Sequence, residues 1–218
     1  MRVLGLFSTL ALAAVVSCAP LASPEASQIE SRTLPTGCTP LPAIIGSVSG
    51  QVTPYINELK SLPASACTVA NIRPIVEDIK GCLNSAIGQV KNLNGLDASA
   101  VLSTDNGVMS IPDLCKLITT LYSLIFGCLS AVLGIAASGD YNGVLSLFAE
   151  IGSLCGTLLQ LCCGVVGGLA VVIYPMLSGV LSVAGKLGIT NSFSFLGSLT
   201  GVVGSVTGNL GAGIGLSY

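Results

Sequence analysis

The stretch PIVEDIKGCLNSAIGQVK, residues 74–91, decides the fold class. Its apolar residues Ile75, Val76, Ile79, Cys82, Leu83, Ile87 and Val90 recur at steps of three and four, the period of a helix with one buried face. Glu77, Asp78, Lys80 and Lys91 fall on the outer face. Pro74 fits the first turn of a helix and is read as its start, and Asn94-Gly95 supplies the turn that ends it.

The same period extends in both directions. Upstream, Ile44, Ile45, Val48, Val52, Tyr55, Ile56 and Leu59 repeat it, with Pro54 expected to divide the helix or restart it. Downstream, Asp97 to Gly107 reads as a polar connection. Ser110 and Asp113 then stand at capping-box spacing with Pro112 in the first turn, so a helix is expected through Cys115, Leu117, Leu121, Leu124, Ile125, Cys128 and Val132 until Gly139. Asp140 is expected to cap the next helix, which runs from Tyr141 through Cys155 to Cys163 and breaks near Gly167-Gly168. A last helix follows Pro175 and ends between Lys186 and Gly188. The expected fold is all-α, a bundle of four to six helices over residues 41–188.

Residues 189–218 read as a glycine-rich apolar segment. Gly197, Gly201, Gly204, Gly208, Gly211 and Gly215 would line one face of a helix and permit close helix contact; the same spacing also suits a flexible tail.

At the start of the chain, Arg2 is followed by the apolar run Val3 to Val16 and by Ser17 and Ala19 at cleavage positions, the pattern of a signal peptide over residues 1–19. Val15 to Cys18 also fit a lipobox. Residues 20–40, rich in proline and serine, read as a linker or propeptide. Beyond the signal lie Cys38, Cys67, Cys82, Cys115, Cys128, Cys155, Cys162 and Cys163, an even set bound for an oxidising compartment. Four disulfides stapling the bundle are expected, although eight cysteines allow about a hundred pairings. Cys162 and Cys163 would take different partners, since neighbours on a helix point about 100° apart.

The composition is 51% hydrophobic and only 8% charged, against roughly 25% charged in ordinary domains. A net charge of −2 provides no basic field, which sets nucleic acid aside. Between Lys116 and the C-terminus only Asp140, Glu150 and Lys186 are charged, so the second half must pack on itself, face lipid or drive association. Leu117 to Gly139 and Ile151 to Pro175 are long enough to span a bilayer, but both are interrupted by small and hydroxyl residues. With no histidine, no nucleophile elbow and no phosphate loop, no catalytic, cofactor-binding or metal site is expected. The carboxylates Glu77 and Asp78, or Asp140 and Glu150, read as solvated faces or caps rather than paired acids.

The signal peptide, the proline-rich start and the eight later cysteines together resemble the small secreted cysteine-rich proteins of filamentous fungi. Hydrophobins are similar in cysteine number, but they have two adjacent pairs where only Cys162-Cys163 is adjacent here. The resemblance implies a secreted protein located extracellularly or in the cell wall. Together with the apolar composition, the expectation is a non-enzymatic protein binding lipid, coating a wall or assembling at an interface, with self-association among its contacts. Its contact residues are expected at Leu117, Leu121, Leu124 and Ile125 and along the glycine stripe. A multi-helix membrane protein and a secreted effector of a host protein are the alternatives.

Overall fold

Capping chemistry sets where the long helices begin. The structure, a computed structural model, describes residues 37–196. Pro40 precedes α1 (Leu41–Ser61), and Thr68 caps α2 (Val69–Lys91) by accepting from the Asn71 N–H at 3.4 Å. Ser110 caps α4 (Ile111–Ile135) by accepting from the Asp113 N–H at 3.3 Å, with Pro112 in the first turn as expected. Next comes α5 (Tyr141–Val165), followed by the short α6 (Leu169–Ile173) and by α7 (Ser178–Lys186). The connection after α2 is more structured than its polarity suggested. It holds a one-turn helix, α3 (Ala98–Val101), and a small antiparallel hairpin, β1 (Ser103–Thr104) with β2 (Gly107–Val108), while Val101 and Leu102 reach the core. The described residues thus contain seven α-helices and almost no strand, an all-α architecture.

Both interior prolines depart from expectation for the same reason. Pro54 lies within an unbroken α1, and α2 begins five residues before Pro74. A helical proline leaves the carbonyl four residues earlier unpaired. Here both prolines and those partner positions, Gly50 and Ala70, are exposed, so water can take the orphaned carbonyls.

Two long-range contacts orient α5. The Asp140 carboxylate accepts from the Val69 N–H at 3.4 Å, and ten residues on, Glu150 meets Lys80 at 2.6 Å. Therefore α2 and α5 run parallel. Asp140 occupies the N-cap position of α5 but makes no side-chain cap there, serving the first N–H of α2 instead. Short connections make α1 with α2, and α4 with α5, antiparallel hairpins that pack side by side. The chain then returns along α4 as α6 and α7 and turns back onto α5 through the 3-10 turn Thr190–Phe193.

One core runs through all of these elements, including Leu41, Ile56, Ile79, Leu121, Ile125, Phe148 and Leu159. Residues 189–196, grouped by sequence with the glycine-rich terminus, belong to this body, since Ile189, Phe193 and Leu196 are buried. Their docking depends on two glycines one turn apart on α5. A Cβ on Gly152 would run into the Ile189 side chain, and one on Gly156 would lie 2.6 Å from the Ser192 backbone oxygen. Gly156→Ala is therefore expected to destabilise by about 1–3 kcal/mol in urea unfolding, because backbone cannot yield as a side-chain tip can. Gly164→Ala, whose Cβ meets nothing within 4 Å, should instead stabilise by about 1 kcal/mol through helix propensity.

The outward faces of the two most apolar long helices are polar or small. Asn142, Ser146, Glu150, Ser153, Thr157, Gln160 and Gly164 form the exposed stripe of α5, and Asp113, Lys116, Thr120, Ser123, Gly127 and Ala131 that of α4. The apolar run Ile151 to Pro175 is not one helix. It is cut between α5 and α6 at Gly168, whose φ of 81° is left-handed and suits glycine.

Candidate functional site

Exposed apolar side chains gather just after that break. Leu169, Ala170, Ile173 and Leu177 point into the core, which turns Val171, Val172, Tyr174 and Met176 outward at 50%, 37%, 37% and 38% exposure. Pro175 explains the shape. Its missing N–H and ring prevent an α-helical bond to the Val171 carbonyl, and the chain tightens into a 3-10 turn over Tyr174–Leu177. The result is a knuckle of four large apolar residues within six positions. No charged residue lies between Glu150 and Lys186 in the sequence. Among the described residues the other large exposed apolar ones are Val108 on the hairpin and Ile135 and Tyr141 flanking the α4–α5 turn.

The residues expected to make contacts on α4 lie within the core or packed against it. Leu121 and Ile125 are fully buried core residues, and Leu117 and Leu124 are half-buried and packed against that core, so all four act in helix contact and not as exposed surface. Their period correctly marks a buried face; what it could not show was that α1, α5, α6 and α7 cover it. The glycine stripe Gly197, Gly201, Gly204, Gly208, Gly211 and Gly215 lies outside the described residues, as do the signal peptide and most of the linker. The knuckle itself has a sequence signal, the charge-free LAVVIYPML at 169–177, but its inward and outward residues are equally apolar.

The carboxylates assemble differently from the pairs considered. Lys80 bridges Glu77 at 3.0 Å and Glu150 at 2.6 Å, and the two carboxylates raise its pKa by hydrogen bonding. Asp140 sits ten residues from Glu150, about 15 Å along the helix, and is occupied with Val69.

Cys38, Cys82 and Cys163 are half-buried; Cys67, Cys115, Cys128, Cys155 and Cys162 are buried, and no disulfide joins any of the eight in this structure. The Tyr122 hydroxyl donates to the Cys155 carbonyl at 2.6 Å between α4 and α5. Two turns earlier on the same face of α4 stands Cys115, and two turns later on α5 stands Cys162. Antiparallel packing brings Cys115 level with the Cys162-Cys163 pair. The Cys128 thiol donates to the Ile56 carbonyl at 3.6 Å. Burial pushes the Cys155 thiol up to about 12 and Cys128 up to about 11, and it raises Cys162 further still. Cys163 is pushed up to about 12 by burial and then by Cys115. Thiols held this way are poor nucleophiles.

No family model, curated protein or solved structure matches this chain.

Proposed function

We propose that this is a secreted, non-enzymatic helical protein that acts through an apolar surface, with the Val171–Met176 knuckle inserting into lipid or a comparable apolar layer. The observation that carries this reading is the knuckle itself, four large apolar side chains turned to solvent on a charge-free segment. Each 100 Å² of such surface removed from water contributes about 2.5 kcal/mol. The test is flotation with neutral phosphatidylcholine vesicles. Wild type should float with the vesicles and the Val171→Asp/Met176→Asp double variant should lose at least tenfold in partitioning while keeping its helical circular dichroism. Equal flotation of the two would remove the knuckle from the mechanism.

A membrane-spanning reading has its own support, since Ile111–Ile135, Tyr141–Val165 and Leu169–Lys186 are long and apolar enough to cross a bilayer. The polar stripe of α5 weighs against it. In a spanning α5, Glu150 and its partner Lys80, together with Thr157 and Gln160, would stand at hydrocarbon depth, where ionised groups are costly. Release into culture medium without detergent is expected, and retention in the membrane pellet would favour the spanning reading.

The eight cysteines are further proposed to be oxidised to four disulfides that hold the helices while the knuckle stays exposed. The level match of Cys115 with Cys162 and Cys163 supports a bridge between α4 and α5. Intact mass should show no added label when the unreduced, denatured protein is treated with iodoacetamide.

A further inference from the structure

We propose that the groove between the end of α2 and the second half of α5 is a binding site for a single-chain amphiphile with a carboxylate head, a fatty acid in chemical class. The cavity measures about 570 Å³, within the range of about 300–1,000 Å³ usual for small-molecule sites. Leu161 and Val165, backed by the buried Val90, supply its apolar wall, and Lys91, Asn94, Thr157 and Gln160 are the exposed polar residues that line it. That division, an apolar wall with a few polar groups beside it, matches an apolar chain and a polar head.

Charge selects the head. Among the described residues Lys91 is the only charged one lining the groove, and no ion pair engages it there. The negative end of the α2 dipole would oppose an anion, but its last carbonyls are already satisfied. The N–H groups of Asn92, Leu93 and Asn94 donate to Gln89, Val90 and Lys91 at 3.1, 3.0 and 3.3 Å. A full mobile ammonium therefore outweighs the residual partial charge. Asn94 and Gln160 add amide donors to a carboxylate. The inference rests on the apolar-ligand reading above and deepens it, placing a monomer site on the groove, separate from the knuckle that meets a surface.

Calorimetric titration of the full chain with dodecanoate below its micelle concentration tests the site. Saturable binding of one dodecanoate is expected, weakening about fourfold for each methylene removed in decanoate and octanoate. Lys91→Glu should weaken it about fivefold or more. Gly164 lines the groove and a Cβ there meets nothing within 4 Å, so Gly164→Leu should fill the site, abolish binding and leave melting at or above wild type. Both variants should still float with phosphatidylcholine vesicles, and the knuckle variant should still bind dodecanoate. Absence of dodecanoate binding, binding unchanged in Gly164→Leu, or equal affinity for dodecyltrimethylammonium would overturn the site while leaving the vesicle result to stand or fall alone.

Discussion

A reduced sample is expected to lose stability steeply as the pH rises from 9, while an unreduced sample holds up to about pH 10, where Tyr122 begins to act in both. In the unfolded chain thiols ionise near 9.0, but in the fold Cys155 is pushed up to about 12 by burial and Cys162 is raised further by burial. A folded-state pKa above the unfolded one means the stabilisation is fully present below pH 9. It is lost as the pH climbs, because the unfolded chain releases these protons first. Each fully buried thiol contributes about 1.4 kcal/mol of loss per pH unit in that window. Two of them threaten a domain stabilised by about 5–15 kcal/mol in total. Tyr122 adds a similar slope above its ordinary 10 in both samples, since burial raises its hydroxyl and no disulfide changes that. The informative quantity is thus the difference between reduced and unreduced urea midpoints at pH 8, 9 and 10. A difference that widens with pH supports the four proposed disulfides. The same alkaline loss in both samples would mean free thiols and would sink the stapled bundle.

Phe126→Ala is expected to cost about 3–5 kcal/mol, lowering the melting temperature by roughly 10 °C or more. The ring is almost wholly buried on α4, with the Tyr122 ring 6.3 Å away in near-parallel orientation and the Phe193 ring 6.0 Å away edge-on. It therefore joins α4 to the returning segment 190–193, beside the site where Gly152 admits Ile189. Neighbours from three elements cannot all collapse into the space the ring leaves, which is why the cavity should persist. Val108→Ala, at an exposed hairpin position, should change stability by no more than about 0.5 kcal/mol and serves as the comparison. A Phe126→Ala loss as small as that would mean the 190–193 segment does not dock as described.

Much of the secondary structure was legible because its causes are local. The three-and-four step of Ile75, Val76, Ile79 and Leu83 marks a buried face whichever partner covers it. Ser110 with Asp113, and the glycines at 95, 168 and 188 with positive φ, mark helix ends through backbone chemistry of a few neighbouring residues. Pro54 and Pro74 misled for the converse reason. Whether a proline ends a helix depends on whether its orphaned carbonyl reaches water, and that is a property of the packed face. The candidate site was less legible still. Leu121 and Ile125 are as apolar as Val171 and Val172, and the sequence does not say which pair is covered.

By itself, then, the sequence determined that the chain would form amphipathic helices with few charges, where most of them would stop, and that no histidine-based chemistry was available. Those are consequences of composition and of interactions spanning at most a turn or two. Only the tertiary structure decided the rest: that Asp140 serves α2 and not its own helix, that Lys80 gathers Glu77 and Glu150, that Gly152 and Gly156 admit the returning chain, and that apolar side chains emerge at the knuckle while α5 shows water a polar stripe. Apart from the Lys80–Glu77 pair within α2, each joins residues some 35 to 70 positions apart or depends on which element covers which face. Periodicity supplies a helix with faces, but the choice of neighbour for each face belongs to the packing of the whole body.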